Sequence, residues 1–503
     1  MKKTLLGLWM IVALGFIKNV NAQGTKIQIL NANTFELEQR GQFKVKKLIG
    51  AVGLKQDNTI LYCDSAYLFD ETNFVEAYNH VHIIHNDSVH FYGDVLKYDG
   101  QKKVARLEKN VSMVDNQSSL TSNELEFDLQ QNKASYFNGG KLLSGTSVLT
   151  SKVGYYFTST KELFFKRNVL LVSPEFTMTT DTLKYHTVTK NATFYSNSII
   201  VSDADTIYCS SGTYNTERQS GLLKSRVKIV SKETTLIADT VIYDRKNKYS
   251  KALGNIILID TLNKTTVFGG VAELFGLLNY SYVTRNPIVV SLVDNDSMMI
   301  SADTIYTYQK SKKLGSKELI KAFPRVKIFK SDLQSICDSL VYNKSDSIMI
   351  LYKSPILWSD VNQITGDTIL FYINNRKLDS MDVIGNSFVI SQETKIHYNQ
   401  IKGRLMTAQF KNQKINSIYV KGNGQSVYYA KEDSAFIGVN VIDCSEMKFR
   451  FVNGKISTAQ FITEPDAVFY AMNEMKPDEL KIKGFKWLVK FRPKRFILKS
   501  SKM

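Results

Sequence analysis

One interval governs what this chain can fold into. Phe69, Tyr98, Phe127, Tyr156, Tyr185, Tyr214 and Tyr243 follow one another at steps of 29 residues. A second column, Val111, Val169, Val227 and Ile256, keeps the same or a doubled step, with Gly140 and Ser198 in its gaps. A period held that long is an internal repeat, and a unit too small to bury its own apolar face must stack on its neighbours.

The unit itself reads as strand. Gly93-Asp94-Val95-Leu96-Lys97-Tyr98-Asp99 returns in altered form at 180–185, 238–244, 337–342 and 366–371. Residues two apart in a strand share a face. Leu96 and Tyr98 therefore point one way, as do Leu125 and Phe127, Leu183 and Tyr185, Val241 and Tyr243, Leu340 and Tyr342, and Ile369 and Phe371. Alternation of this kind predicts half-buried strands. Further strands are expected at 110–114 and 225–230, with turn chemistry at Asp99-Gly100 and Asp244-Arg245. The recurring Asp-Thr or Asp-Ser reads as a short polar side chain bonding local backbone where a strand begins, and not as a calcium loop. Gly422-Asn423-Gly424 reads as a turn. The chain holds 7 prolines, none before Pro174, which leaves long sheets unbroken.

The register slips later, with six additional residues between Asp239 and Asp303 and six more before Asp338. Extra loop or strand is expected near Phe275 to Pro287 and Lys310 to Phe323. The organisation predicted is a leader over 1–22, a first repeat block over 23–265, a second and less regular block over 266–475, and a basic aromatic tail over 476–503. The fold class is all-β: an elongated open stack of 29-residue repeats.

The leader has export chemistry. Lys2 and Lys3 precede an apolar run from Leu5 to Ile17, too short to span a bilayer comfortably, and Val20-Asn21-Ala22 supplies small residues for cleavage after Ala22. Cys63, Cys209, Cys337 and Cys444 lie too far apart for zinc spacing. The last three share the slot of Gly93, Ala238 and Gly366, and Cys63 falls within one place of it. They are expected to be free, small, buried residues.

The formal net charge is +18, and the three lysines of the leader reduce it to +15. The tail alone has ten Lys or Arg against Asp478 and Glu479, so the long body is only mildly basic and nucleic acid is not an expected partner. In the tail, Lys486, Lys490, Arg492, Lys494 and Arg495 alternate with Trp487 and other aromatics, a pattern suited to an anionic lipid surface or an acidic partner. A solvated end is the bland alternative. No Gly-x-Ser-x-Gly elbow, His-Glu-x-x-His or phosphate-binding glycine loop is found, so no catalytic residue, cofactor or metal is expected. His80, His82, His85 and His90 form the one chemical cluster, and without a Cys or carboxylate at ligand spacing they read as surface residues.

Asp64-Ser65-Ala66-Tyr67, the Gly93 to Asp99 motif and Asn110-Val111, repeated as they are, resemble the OstA-like (organic solvent tolerance) family, relatives of the LptA bridge protein of lipopolysaccharide transport. The resemblance covers most of the chain after the leader and is strongest over about 28–260. It implies an open β-jellyroll in the periplasm that shelters the lipid A acyl chains of lipopolysaccharide. The implied partners are lipopolysaccharide and jellyroll domains of inner- and outer-membrane transport components. Open sheet ends are templates for another strand, so end-to-end contact with such jellyrolls or with further copies is expected. The expected groove residues are Leu96, Tyr98, Leu125, Phe127, Leu183, Tyr185, Val241, Tyr243, Leu340, Tyr342, Ile369 and Phe371. A structural or adhesive repeat protein whose core is filled by these same side chains is the alternative. This chain is far longer than the bridge protein, and its tail lacks the alternating strands of a membrane barrel.

Overall fold

A computed structural model describes residues 25–498 apart from 117, 294–295, 310–317, 375–376, 412–413, 434 and 453–454. The leader and its cleavage site lie outside the described residues. The chain divides into two compact units, Met1–Asn168 and Val169–Met503. Apart from one short 3-10 turn at Val489–Phe491, the described regular structure is antiparallel strand.

In the first unit the repeats up to Asp128 are hairpins of two long strands, as in Val89–Asp99 and Val104–Asp115, and beyond it the same path is divided into shorter strands such as Lys133–Tyr136 and Gly140–Ser144. These pair in two stretches, 89–92 with 112–115 and 95–99 with 104–108, separated by a register shift. The shift is a corner. Lys109 and Asn110 both adopt positive φ there (65° and 49°), as do Asn79 with His80 and Gly50 with Ala51. A paired bulge of this kind bends a strand sharply while keeping the ladder on either side. Each long strand therefore serves two walls. One carries Tyr98, Phe127 and Tyr156, here the tyrosine wall; the other carries Val111 and is the valine wall. The stretch at 110–114, expected as a separate strand, is the far half of a bent one.

The corners explain the repeated aspartate. Asn110 donates through Nδ2 to Asp94 at 2.6 Å, and His80 Nδ1 lies 2.8 Å from Asp64. The second unit repeats the device, with Asn255 on Asp239 at 2.8 Å and Asn386 on Asp367 at 3.1 Å. Asn255 and Asn386 also have positive φ, a conformation asparagine tolerates better than most residues. So the aspartate accepts from the corner residue of the next strand, and does not bond its own local backbone as the sequence reading had it. The local pattern hides this because the partner is 16 residues away in the first three pairs and 19 in the fourth. Gly422 and Asn423 are such a corner too, inside the strand Lys414–Glu432, and do not reverse the chain.

The turn chemistry at the hairpins matches expectation. Asp99 Oδ1 accepts the backbone N–H groups of Gln101 and Lys102, and Asp244 that of Asn247. All four cysteines are free and buried. Cys337 faces Val326 and Ala238 faces Val227, so this slot meets a valine-wall side chain at the corner and has space for little else.

The second unit keeps the same plan. Ser220–Ser231, Thr234–Asp244, Tyr249–Asp260 and Thr265–Phe275 pair in succession, and ten residue pairs join the last two across position 265. The segment near 275–287 contains the strand Tyr280–Thr284 followed by a corner at Arg285 and Asn286. Beyond it, an apolar core runs from Ala302 to Phe449.

Candidate functional site

Ten of the twelve expected groove residues are buried: Leu96, Tyr98, Leu125, Phe127, Leu183, Tyr185, Val241, Leu340, Ile369 and Phe371. Tyr243 and Tyr342 are half-buried. These positions are inward because one face of each strand meets the other wall and the opposite face meets water.

What lies between the walls is side chain. In the first unit Phe91, on the valine wall, packs on Phe127 of the tyrosine wall with ring centroids 4.4 Å apart. Leu54, Leu61, Val75, Ile83, Leu96 and Tyr98 line a pocket there, together with Ile27 and Gln56. In the second unit Phe176 meets Tyr214 edge to face at 4.9 Å, beside a pocket that Tyr243 and Arg245 help to line.

The side of the interior away from the corner is fastened by polar groups. The Tyr98 hydroxyl donates to Gln56 Oε1 at 2.5 Å, and Gln56 Nε2 donates to the carbonyl of Gly100 at 3.0 Å. His85 shares a hydrogen bond with Thr59 on its own wall at 2.9 Å and with Asn132 on the other at 3.0 Å. Asp115 accepts two bonds from Lys161 Nζ, at 2.7 and 2.8 Å, and one from the Tyr156 hydroxyl. Gln56, His85 and Asp115 stand at the hairpin ends of valine-wall strands, so these latches span the open side of the first unit. Burial raises the Tyr98 hydroxyl, the donor to Gln56, far above its ordinary range and the Tyr136 hydroxyl to about 12.

The latches were not anticipated from sequence. Their signal is a polar residue at an inward strand position: Gln334 and Gln363 stand one 29-residue step apart and both are buried. A search confined to apolar columns passes over them.

The histidines do not converge. His82 lies 3.0 Å from His90 on the outer face and stacks on Tyr92, His80 pairs with Asp64, and His85 is a buried latch. Burial, with His90 nearby, lowers the His82 pKa, while the hydrogen bond to Asp64 raises that of His80. Among the described residues no group of three or more His, Cys, Asp or Glu could hold a metal ion.

The tail is packed on its own unit. Leu480 is buried among Val427, Tyr429 and Val439, and Phe485 and Trp487 lie against Tyr398 at 5.3 and 5.4 Å. Arg492 reaches Gln334 and the carbonyl of Asp360. Lys486, Lys490, Lys494 and Arg495 remain exposed.

Comparison with known proteins bears on this two-walled ladder directly. The model of the OstA-like protein family matches residues 24–181 and 175–239. Residues 24–239 are OstA-like. The OstA-like region thus covers the first unit and the regular start of the second, where the 29-residue step is unbroken. Among solved structures, the chain is similar to LptH, described as the LptA homologous periplasmic component of the lipopolysaccharide transport device from Pseudomonas aeruginosa. The identity is 9% and the TM-score 0.20, over 27% of this chain and 93% of that one. It is also similar to the WD40 domain of SCAP from fission yeast, at 8% identity and a TM-score of 0.11, over 82% and 95% of the two chains. No curated protein matches the chain.

Proposed function

We propose that this protein is a periplasmic lipid carrier of the lipopolysaccharide-transport class, non-enzymatic, which takes acyl chains between its tyrosine and valine walls. The observation that carries this reading is how the walls are joined. Within the first unit they are continuous through the bent strands at the corner, while the latches across the open side run through the side chains of Gln56, His85 and Asp115. Opening that side costs a few side-chain hydrogen bonds and breaks no strand pairing. Each methylene brought inside contributes about 0.8 kcal/mol, so several acyl chains outweigh a few latches. The OstA-like match over 24–239 supports the same assignment. Sugars and phosphates of the guest stay in water, and jellyroll partners in the two membranes would hand it on.

One observation favours a second reading. Phe91 and Phe127 already fill the space between the walls, as a purely structural repeat protein would have them. A photo-crosslinking residue at Phe127 and at Tyr185, introduced in living cells, separates the two. Lipid carriage gives lipopolysaccharide adducts at both positions and none at the outward Lys97 and Lys184. No adduct at any inward position leaves the filled-core reading standing.

A further inference from the structure

Three buried glutamines lie along one line of the second unit's valine wall. Gln334 stands opposite Trp358, Trp358 opposite Gln363, Gln363 opposite Ile390, and Ile390 opposite Gln400. Their exposures are 3%, 1% and 2%. A buried carboxamide needs both a donor and an acceptor as partners. Two of these find both in the backbone of the C-terminal segment. Gln400 donates to the carbonyl of Leu480 at 3.1 Å and accepts the N–H of Ile482 at 2.9 Å. Gln363 donates to the carbonyl of Lys486 and accepts the N–H of Leu488, both at 2.7 Å. Lys402 Nζ adds a bond to the carbonyl of Lys483, and Gln334 Oε1 receives Arg492 Nε.

The geometry of this contact is that of a strap and not of an added strand. The two amide pairs are six residues apart in the tail, and Gln363 and Gln400 are two strand spacings apart, about 10 Å. Six extended residues would span roughly 20 Å. The slack is taken up by a turn in which Phe485 N–H bonds the carbonyl of Ile482, next to Gly484 at φ +99°. The glutamines grip backbone, so the contact is indifferent to the side chains that face outward, among them Lys486 and Lys490. Trp358, on the same line, keeps its indole N–H buried without a partner, so the strap closes the line without completing it.

We propose that residues 478–492 are a displaceable strap that covers the inner face of the second unit, with Leu480 occupying the place of an acyl chain against Val427, Tyr429 and Val439. This rests on the carrier reading above. In the first unit Gln56 reaches across to the Tyr98 hydroxyl; in the second, Gln363 and Gln400 hold the tail. Releasing the strap leaves every strand pair of the two walls in place, because its bonds go to side chains and, from Arg492, to the carbonyl of Asp360 in a turn, and not to the ladder. The ligand class is an amphiphile with an acyl chain and an anionic head. The chain would displace Leu480, and the head would meet the exposed Lys486, Lys490, Lys494 and Arg495.

The test uses the full chain and purified lipid A. A photo-crosslinking residue is placed at Phe436, which packs on the Leu480 cluster, or at Phe127 in the first unit. Adduct yield is compared between the parent, the double variant Gln363→Ala with Gln400→Ala, and a chain ended after Lys476. The strap predicts that both changes raise the yield at Phe436 several-fold and leave that at Phe127 unchanged. Undiminished adducts at Phe127 with no gain at Phe436 overturn the strap while sparing the carrier reading. No adducts at either position overturn both. Hydrogen exchange on the unaltered chain guards against misfolded variants: lipid A should speed exchange of the Ile482 and Leu488 amides at least tenfold, and protection retained with lipid bound refutes displacement.

Discussion

Asp115 gives the sharpest check on the latched interior of the first unit. Its side chain is fully buried, accepts two bonds from Lys161 Nζ at 2.7 and 2.8 Å, and also takes the Tyr156 hydroxyl. Breaking a buried pair from one side typically costs about 3–5 kcal/mol, because the remaining charge stays desolvated. Lys161 is 25% exposed and recovers some hydration, which brings the cost of Asp115→Asn to or below the lower end, about 2–3 kcal/mol. For a unit of this size that corresponds to a melting temperature lower by roughly 4–12 °C. Lys161→Met leaves the carboxylate uncompensated and should cost as much or more. The double variant should recover about 1–2 kcal/mol relative to the sum of the two. Urea unfolding followed by tyrosine signals reads the effect. Tryptophan fluorescence is the internal control, since Trp358 and Trp487 both belong to the second unit and should hardly move. Losses under 0.5 kcal/mol in both single variants, or strict additivity in the double, would refute the latch.

Two further outcomes follow from burial alone. The Tyr185 hydroxyl is buried without a hydrogen-bond partner, so Tyr185→Phe should be neutral or stabilising by up to about 1–3 kcal/mol in thermal unfolding, and a clear loss would mean that the hydroxyl is bonded. Burial pushes the thiols of Cys63, Cys209 and Cys337 up to about 12. At pH 8 the folded protein should therefore react slowly with a thiol reagent, and after denaturation without reductant should release four equivalents. Fewer than four would show a disulfide.

The inward face was legible because it depends only on alternation. Leu183 and Tyr185 share a parity, one parity must leave water, and the 29-residue step carries the same choice from Tyr98 to Tyr243. Phe69 is the exception, since Ala66 and Leu68 take the inward places of its strand. Tyr243 and Tyr342 are less covered than their counterparts, as is the whole of the strand Tyr280–Thr284 between them in the chain. The corner was legible only as a recurrence of Asp and of Asn-Val, and the local pattern gives the aspartate a backbone partner that the structure replaces with the corner residue. Asp94 meets Asn110 through a fold of the chain that local propensity does not encode. Gln363 and Gln400 are ordinary polar residues in sequence, and their part in holding residues more than 80 positions away exists only once the tail lies across them.

The sequence by itself determined the strand, its period and its wet and dry sides, since those follow from side-chain alternation and a constant repeat length. The tertiary structure alone decided how the walls are fastened. A latch is a contact between residues far apart in the chain, as with Asp115 and Lys161 or Gln400 and Ile482, and its strength comes from burying polar groups together. No window of sequence contains both partners, so no periodicity reports them.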